Sequence, residues 1–460
     1  MGSDDGLKSF LEPKSVALLG VSRRTGQASF NILENLLSHG YRGGVYPVNP
    51  HASEILGIRT YPSVKQIPAD VDLAVISTPR ELVPPLIKEC TDKDIRAIVV
   101  VAQGFADADE EGKKLQKEVV TIARAGGARV VGPNTFGTAN AFIDFSSAFV
   151  PVEMARVPVG LICQSGFFFI GFPGLRLIGK GIDLGNACDV DFVDGLESFE
   201  DDPQIRLIAL HIEGVRDGRR FLEVARRVAK KKPVLVLKTG RSEQAARMAR
   251  SHTGSLTGND EVWRAALSSC GLIRVDDIDE LSDLVRAFSC LPPMKGNRVG
   301  VVSFTGGLGI VAVDSCERND LELAELSPQA KQTIADMSPP WLNIGNPVDA
   351  WPAVSSQASF EQMTKALATN LRALLADPQV DTLILMATAF TPAFARDLAE
   401  EILETVAAFP HKPLVSYLYG PAVEEARAIL NGSGKTMSFP TLERTIRTLS
   451  QMARHHRFKS

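Results

Sequence analysis

Short runs of apolar, β-branched residues alternate with amphipathic stretches along most of the chain. The runs lie at residues 15–20, 44–50, 73–77, 97–101, 129–131, 159–163, 207–212, 234–238, 299–303, 383–387 and 413–417. This alternation is typical of parallel β-strands that are connected by helices packed on the faces of the sheet. The chain has 460 residues, and its length alone suggests about three such α/β domains.

The composition argues against several classes of protein. The net charge of −4 gives no general attraction to nucleic acid or to an anionic membrane. No apolar run reaches membrane-spanning length, and the acidic start, Met1–Asp5, lacks the apolar core of a signal peptide. The six cysteines are scattered without C-x-x-C spacing, which favours reduced thiols over disulfides or a zinc site. We therefore expect a cytoplasmic protein with no metal site.

The first predicted strand leads directly into a loop of small and basic residues. Gly20, Ser22, Arg23 and Arg24 follow the strand, and a helical pattern comes next, over 30–37. Backbone N–H groups in such a loop, together with the dipole of the helix, favour a bound anion. The loop is not G-x-G-x-x-G, and no acidic residue ends the following strand, where the ribose of NAD would need one. The pattern predicts a nucleotide-like ligand other than NAD.

Polar or small residues also follow the later strands of the first third of the chain. Thr78-Pro79, Gly104 and Asn134 each come soon after one of these strands. Ligands in open α/β sheets bind beyond the carboxyl ends of the strands, so these turns form one candidate rim. The alternative is that proline and glycine simply end the strands.

Two further turns between a strand and a helix contain glycine. Gln164-Ser165-Gly166 follows the strand at 159–163, and Gly306-Gly307 follows the strand at 299–303. Each turn places a helix N-terminus after a strand, which predicts an anion site. Phe167–Phe169 come directly after the first turn. Aromatic residues there more often pack in a core, but these would crowd a ligand that approaches Gly166.

The segment His455–Lys459 is basic, and we expect it to be frayed. His455 and His456 are adjacent and could bind a metal ion. No third ligand lies near them in the sequence, so we do not predict a metal site there.

One histidine has an unusual setting. Of the seven histidines, only His252 lies in a run of hydroxyl and glycine residues, Ser251–Gly258. Hydroxyl and unhindered N–H groups bind tetrahedral oxyanions, and a neutral imidazole can attack a phosphoryl group. The run alone is also typical of a turn with a solvated histidine. Glu213 ends a predicted strand and could hold the second ring nitrogen of His252, or be a solvated turn residue.

Ten short motifs, taken together and in order, resemble the α-subunit region of the NDP-forming acyl-CoA synthetases. The best-known member is ADP-forming acetyl-CoA synthetase, and succinyl-CoA ligase is a more distant relative. Each motif alone is weak evidence, but ten in the same order over essentially the whole chain are strong evidence. The motifs are Leu11–Val16, Tyr46–Pro50, Gly132–Asn134, Gln164–Gly166, Gly185-Asn186, Asp189–Asp191, Ile212–Gly214, Ser251–Ser255, Gly306-Gly307 and Asn346–Asp349.

The resemblance implies a Rossmann-like CoA-binding domain over residues 1–150, followed by two flavodoxin-like domains over 151–292 and 293–460. It also implies a reaction in steps. Acyl-CoA and phosphate give an acyl phosphate and CoA, and the phosphoryl group passes to a histidine. The phosphohistidine then swings to a separate ATP-grasp site and phosphorylates ADP; the reverse direction makes acyl-CoA.

The resemblance further implies roles for individual residues. His252 matches the phosphorylated histidine, and Glu213 matches the acidic residue that steadies it. The implied phosphate-binding positions are Ser165, Gly166, Thr253, Gly254, Ser255, Gly306 and Gly307. The implied CoA-binding rim is Gly20, Ser22, Arg23, Arg24, Gln27, Val48, Asn49, Pro50, Thr78, Pro79, Gly104 and Asn134.

The nucleotide half of this reaction has no counterpart in the sequence. We find no ATP-grasp segment, no P-loop and no run of Mg²⁺-binding carboxylates. If the chain is active, ATP or ADP and Mg²⁺ are expected on a separate ATP-grasp β subunit. A hetero-oligomer, by analogy with the family, is then the leading architecture.

Three departures from the family pattern leave a second function open. Phe167–Phe169 replace small residues, Gln27 and Ser29 replace a lysine and a glycine, and Asp183 replaces a small or hydroxyl residue. A carboxylate near a phosphate site repels the phosphate. The alternative is therefore a non-catalytic subunit that binds CoA or acyl-CoA. The retained His252 and Glu213 argue against it, because a binding module has no need of them.

Overall fold

The computed structural model describes residues 7–26, 29–171, 175–245 and 259–459. The chain divides into two compact units, Met1–Leu281 and Ser282–Ser460, called unit 1 and unit 2 below. Unit 1 holds two large sheets and a small hairpin, and unit 2 holds one large sheet. Within the described ranges, no helix is long and apolar enough to cross a lipid bilayer.

The first sheet of unit 1 has five parallel strands in the order β2-β1-β5-β6-β7. Its strands and those of the separate hairpin (β3 and β4) are β1 Ser15–Leu19, β2 Gly44–Val48, β3 Glu54–Ile55, β4 Ile58–Arg59, β5 Leu73–Ile76, β6 Ala97–Val100 and β7 Arg129–Val131. Because β1 lies between β2 and β5, the strand order reverses beside it. The crevice between the carboxyl ends of β1 and β5 is where such doubly wound sheets bind ligands.

The second sheet repeats this arrangement, with β10 in the place of β1. Its order is β14-β13-β12-β10-β11-β8-β9, and the strands β10 to β14 are parallel. The bounds are β8 Thr138–Asn140, β9 Phe145–Ser146, β10 Val159–Cys163, β11 Lys180–Asp183, β12 Leu207–Ile212, β13 Val234–Lys238 and β14 Ile273–Val275. The order reverses between β10 and β12. The antiparallel strands β8 and β9 bring residues 138–146 into this second sheet.

The sheet of unit 2 has the same order again. Its parallel strands run β16-β15-β18-β19-β20, and the short β17 also pairs with β15. The bounds are β15 Arg298–Ser303, β16 Glu322–Leu323, β17 Val348–Asp349, β18 Thr382–Thr388, β19 Leu414–Tyr419 and β20 Met437–Phe439. The third crevice therefore lies between the carboxyl ends of β15 and β18.

The helices pack on the faces of these sheets. In unit 1 they are α1 Lys8–Leu11, α2 Ile32–Ser38, α3 Val83–Asp92, α4 Glu110–Ala125, α5 Gly166–Ile170, α6 Phe192–Glu200, α7 Gly218–Ala229 and α8 Asp260–Ser269. Helix α9, Ile278–Cys290, crosses into unit 2, where α10 Gly306–Arg318, α11 Pro328–Ala335, α12 Trp351–Ser355, α13 Phe360–Ala376, α14 Pro392–Ala408, α15 Val423–Gly432 and α16 Leu442–Lys459 follow. Short 3₁₀ turns lie at Val64–Gln66, Arg80–Leu82 and Ala141–Ile143.

Polar side chains fix where many helices begin. Asn31 accepts hydrogen bonds from the first turn of α2, Asp109 does so for α4, and Thr305 does so for α10. Such caps satisfy backbone N–H groups that have no partner within the helix. The predicted α/β class is confirmed, and the strands at 129–131 and 159–163 have the predicted bounds.

Ion pairs of one buried carboxylate join the two sheets of unit 1. Asp189, whose side chain is completely buried, accepts hydrogen bonds from Arg124 and Arg129 at 2.7–2.9 Å and from the backbone N of Val130 at 2.9 Å. Both arginines belong to the first sheet and its helix α4, whereas Asp189 follows β11 of the second. Removing one partner of such a buried group is strongly destabilising. Asp189 therefore ties the loop after β11 to the first sheet.

The prediction that the C-terminal residues are frayed is wrong. The helix α16 continues to Lys459, and the side chain of His455 is buried against the ring of Phe288 at a centroid distance of 5.7 Å. The apolar stripe of the helix, including Leu449 and Met452, belongs to the core of unit 2. Packing of this stripe outweighs the basic composition of the segment.

Candidate active site

Three predicted CoA-binding residues meet at the crevice of the first sheet. Gly20 directly follows β1, and Thr78-Pro79 follow β5. Gly20 has a φ of +82°, and a Cβ added to it would lie 2.5 Å from Cγ2 of Thr78, so only glycine fits. The buried Thr78 hydroxyl has no hydrogen-bond partner within the described residues. Such a group costs free energy unless water or a ligand satisfies it.

The loop after β1 is folded onto the start of α2. The side-chain amide of Asn31 donates to the carbonyl oxygens of Ser22 and Arg24, both at 2.9 Å. The backbone N of Arg24 also donates to the hydroxyl of Ser22 at 3.0 Å. The side chains of Arg23 and Arg24 are exposed, so their charges are available to an anion. Gln27 lies outside the described residues.

The end of β2 is tied to the same loop. The amide of Asn49 donates to the carbonyl oxygen of Val21 at 2.9 Å and accepts from the backbone N of His51 at 2.8 Å. Val48 is buried at the strand end, and Pro50 follows Asn49. The predicted residues 48–50 therefore adjoin the loop after β1.

The remaining predicted rim residues follow β6 and β7. Gly104 has a φ of +92°, and its backbone N donates to Asp107 at 3.1 Å. Asn134 has a φ of +58°, and its backbone N donates to the carbonyl oxygen of Ala102 at 2.9 Å. Arg80, which sequence reasoning missed, donates to the carbonyl oxygen of Gly104 and so links the ends of β5 and β6. In the sequence, the signal for Arg80 was the position of a cation directly after Thr78-Pro79.

The crevice of the second sheet brings the predicted phosphate and catalytic residues together. Ser165 and Gly166 follow β10 on one side, and the buried Glu213 follows β12 on the other. The side-chain oxygen of Gln164 spans the crevice and accepts from the backbone N of Glu213 at 2.7 Å and of Gly214 at 3.1 Å. Gln164 belongs to one of the sequence motifs, but the motif does not predict this bridging role.

A buried cation supports the backbone of Glu213. The ammonium of Lys238 donates to the carbonyl oxygen of Glu213 at 2.9 Å and also to the carbonyl oxygen of Thr239. Burial lowers the pKa of Lys238 to about 8, although the nearby carboxylates of Asp260 and Glu213 favour its charged form. The ammonium also lies 5.4 Å from the centroid of the Trp263 ring. Lys238, at the end of strand β13, thus stabilises the backbone on the Glu213 side of the crevice.

The turn after β10 differs from the expected open anion site. Helix α5 has only five residues, and the Ser165 side chain does not cap it. The Phe136 ring packs against Gly166, where an added Cβ would lie 2.0 Å from Cε2 of that ring. Phe168 and Phe169 are buried in the core, whereas Phe167 is 56% exposed. Only Phe167 of the three is therefore available to crowd a ligand.

Asp183 at the end of β11 is enclosed rather than exposed to a ligand. Its carboxylate accepts from the backbone N of Phe136 at 2.7 Å and of Gly185 at 3.4 Å, and the Cys163 thiol lies 3.8 Å away. Burial raises the pKa of Asp183 to about 6, although these hydrogen bonds favour the ionised form. The carboxyl group therefore fixes the loop that carries Phe136.

The central predicted residue, His252, lies outside the described residues, and so do Thr253, Gly254 and Ser255. The described chain ends at Ala245 on one side of this segment and resumes at Asn259 on the other. The pairing of Glu213 with His252 stays a prediction.

The third predicted anion site is at the crevice of unit 2. Gly306 and Gly307 begin α10, and the Thr305 hydroxyl caps this helix by accepting from the backbone N of Leu308 at 3.2 Å. The carboxylate of Asp349 lies beside the first turn, since a Cβ added to Gly306 would be 3.4 Å from its Oδ2. That negative charge is favoured at the helix N-terminus and would repel an anion bound at the same place.

Among the residues described, no group of three or more His, Cys, Asp or Glu side chains is arranged to hold a metal ion.

Three protein-family models match successive parts of the chain. A "CoA binding domain" matches residues 14–141, a "Succinyl-CoA ligase like flavodoxin domain" matches residues 156–288, and a "Ligase-CoA domain" matches residues 299–457. These matches fall on the three doubly wound sheets in order. The fold and the matched domains are those of an acid–CoA ligase.

Individual relatives narrow the class. The chain is 36% identical to the α subunit of ADP-forming acetate–CoA ligase I of Pyrococcus furiosus, over 99% of this chain and 98% of that one. It is 37% identical to ADP-forming acetate–CoA ligase II of Archaeoglobus fulgidus, over 82% of this chain and 56% of that one. The dinucleotide-forming acetyl-coenzyme A synthetase 1 of Ca. Korarchaeum cryptofilum, solved with phosphate and ADP, superposes with a TM-score of 0.89 at 31% identity, covering 99% of this chain and 98% of that one. The chain belongs to the family of NDP-forming acyl-CoA synthetases.

Proposed function

We propose that this chain is the α subunit of an NDP-forming acyl-CoA synthetase. Acyl-CoA and phosphate react to form an acyl phosphate and free CoA. The phosphoryl group then moves to His252 and releases the carboxylate. The phosphohistidine passes that group to ADP and forms ATP, and the reverse sequence makes acyl-CoA. CoA binds in the domain over residues 1–150, and the two flavodoxin-like domains over 151–292 and 293–460 carry the phosphoryl chemistry.

One observation carries the proposal. The second sheet places Ser165-Gly166 and Glu213 on opposite sides of its topological crevice, and the hydrogen bonds of Gln164 hold the two sides together. The CoA-rim residues flank the equivalent crevice of the first sheet, and the ion pairs of Asp189 hold these two sheets side by side. In this proposal, a thioester bound at the first crevice presents its acyl group to the second.

Each residue has a role that its chemistry supports. His252 is the phosphoryl carrier, and the Glu213 carboxylate holds the ring nitrogen that is not phosphorylated. Backbone and hydroxyl groups of Ser165, Gly166 and Thr253–Ser255 stabilise the charge on the travelling phosphoryl group. Gly306 and Gly307 act similarly at the start of α10.

The nucleotide half belongs to a partner in this proposal. ADP or ATP and Mg²⁺ bind to an ATP-grasp β subunit, and the two chains form a hetero-oligomer in the cytoplasm. The chain spans about half of the A. fulgidus relative (56% of its length), and the P. furiosus relative that it matches over 98% of that chain's length is called an α subunit. The six cysteines are free thiols, as a reducing compartment requires.

A non-catalytic subunit that binds CoA or acyl-CoA is the second candidate. The short helix α5, the Phe136 ring against Gly166 and the exposed Phe167 favour it, because all three reduce the room for phosphate. The two candidates differ in one step that needs no partner, the attack of phosphate on the thioester. The ligase subunit catalyses this step, and the binding subunit does not.

Arsenate makes this step observable with the chain alone. An acyl arsenate hydrolyses spontaneously, so a ligase α subunit should release the CoA thiol from an acyl-CoA continuously when arsenate is added. Free thiol is followed colorimetrically against a control without acyl-CoA, which accounts for the six protein cysteines. We expect arsenate-dependent release that phosphate inhibits. Binding of CoA with no release from any of a panel of acyl-CoAs would establish the binding subunit instead.

A further inference from the structure

A cavity of about 410 Å³ lies beside the crevice of the second sheet. Its lining includes Gln164 after β10, Cys188 after β11, and Val215 after β12. It therefore opens at the carboxyl ends of three neighbouring strands, one residue from Ser165 and two from Glu213. The proposed function uses the Gln164 oxygen to hold the crevice together, and it gives no role to the Gln164 NH₂ group, Cys188 or Val215.

The hydrogen bonds of Gln164 determine which end of its amide faces the cavity. Its oxygen accepts from two backbone N–H groups, those of Glu213 and Gly214. Only the oxygen can accept, so the NH₂ group is directed away from that backbone. Gln164 is 5% exposed, and its NH₂ group has no hydrogen-bond partner within the described residues. This donor can therefore meet an acceptor group of a ligand that is placed in the cavity.

The charged groups around the cavity are already paired. The guanidinium of Arg216 donates to the carbonyl oxygens of Cys188 and Asp189 and to the carboxylate of Asp191, at 2.7–3.0 Å. Lys113 donates to Glu110 at 2.8 Å. Each of the two cations in the described lining therefore already has a carboxylate partner.

Much of the remaining wall is apolar, and Gln116, Asn186 and Asp217 also line the cavity. Phe192, Val193 and Phe221 are almost completely buried, and the Phe192 and Phe221 rings meet edge to face at 6.2 Å. Val215 is half-buried at the opening. Ligand pockets of about 300–1,000 Å³ hold molecules much larger than a two-carbon acyl group. The cavity thus places the Gln164 donor beside an apolar wall, with space for an uncharged, apolar tail.

We propose that this cavity binds the acyl group of the substrate, with the Gln164 NH₂ group donating to the acyl carbonyl oxygen. The substrate is an acyl-CoA whose tail is apolar and longer than acetyl. The inference rests on the proposed function, because only a CoA thioester at the neighbouring crevice carries an acyl group to this place. The inference goes beyond the proposed function by naming the substrate class and two residues, Gln164 and Val215, that select the acyl group.

Binding of CoA, acetyl-CoA and hexanoyl-CoA to the full chain, measured by calorimetry at pH 8, tests this. Each buried methylene group is worth roughly fourfold in affinity. The four extra methylenes of hexanoyl-CoA therefore give a ceiling of roughly 200-fold, and we expect it to bind at least about tenfold tighter than acetyl-CoA. Equal affinity of the two thioesters would overturn the inference. Failure of CoA itself to bind would instead overturn the proposed function, and the inference with it.

Two variants and one control locate the effect. Val215→Trp fills the opening and should abolish the preference for hexanoyl-CoA while the affinity for free CoA stays within about twofold. The control Val262→Trp adds the same bulk at a valine that is 66% exposed and does not line the cavity, so the preference should remain. If Val215→Trp keeps the preference, or Val262→Trp loses it equally, the cavity is not the acyl site.

Gln164→Glu tests the hydrogen bond itself. The glutamate keeps an oxygen for the two backbone N–H groups, and these favour its ionised form, so the group facing the cavity changes from a donor to a negative acceptor. Both acyl-CoAs should then bind at least about tenfold more weakly, whereas free CoA should be unaffected. Unchanged binding of acetyl-CoA would exclude Gln164 as the carbonyl partner.

Discussion

The buried carboxyl group of Asp183 makes the stability of unit 1 depend on pH. Its side chain is 1% exposed, and burial raises its pKa from 3.8 to about 6. This difference corresponds to about 3 kcal/mol of unfolding free energy. Because the folded state holds the proton more tightly than the unfolded chain does, the stabilisation is complete below about pH 4. It is lost as the pH rises through about 6.

Asp183→Asn removes this titration with little change of shape. The asparagine oxygen can still accept from the backbone N of Phe136, the shorter of the two backbone contacts at 2.7 Å. The amide cannot ionise, so the variant should avoid the cost that the wild type meets at neutral pH. Relative to the variant, the wild type should lose about 2.4 kcal/mol of unfolding free energy between pH 4 and pH 7.

Urea unfolding at a series of pH values measures this loss. The chain has three tryptophans, of which only Trp263 lies in unit 1, so a Trp341→Phe, Trp351→Phe background reports that unit by fluorescence. Asp70→Asn, at an exposed carboxylate, is the matched control and should follow the wild type. A difference between wild type and Asp183→Asn that is constant from pH 4 to pH 7 would refute the reasoning.

Three other perturbations have definite expected outcomes. Burial lowers the pKa of His455 to about 4, so the unfolding free energy of unit 2 should fall by about 3 kcal/mol as the pH falls from about 6.5 to 4. His455→Phe should lack this loss when unfolding is followed by the fluorescence of the unit 2 tryptophans. A loss shared equally by that variant would place the titration elsewhere. Gly20→Ala forces a Cβ against Thr78 at positive φ, so it should destabilise unit 1 by about 1–3 kcal/mol and weaken CoA binding. Calorimetry that shows normal CoA affinity would remove this turn from the site. Glu213→Gln should slow phosphoryl transfer to His252 by about 10–100-fold or more without changing CoA affinity; wild-type transfer rates would make Glu213 only a strand-end residue.

The fold followed from local patterns. The alternation of apolar runs and amphipathic stretches predicted the strands, and the small residues after them predicted which turns meet at ligand crevices. The turns lie together because parallel strands place their carboxyl ends at one edge of the sheet, whatever the side chains elsewhere. Gly20 and Thr78 are 58 positions apart, yet the sheet order alone brings them together.

The features that escaped prediction depend on contacts between distant segments. Gln164 bridges to Glu213 because β10 pairs with β12 in the register Cys163 to His211, which no local pattern reveals. The burial of Asp183 depends on Phe136 folding over it from another segment. His455 lies in a segment of basic composition, and tertiary packing of α16 overrides that local signal.

The phosphohistidine is the central claim, and the mass of the intact chain tests it most directly. The wild type and His252→Ala are each incubated with acyl-CoA and phosphate, and separately with acyl phosphate, before mass measurement. We predict that the wild type gains one phosphoryl group that is lost in acid, and that His252→Ala gains none while still binding CoA. An equal gain on His252→Ala, or no gain on a wild type that releases CoA from acyl-CoA, would contradict the account.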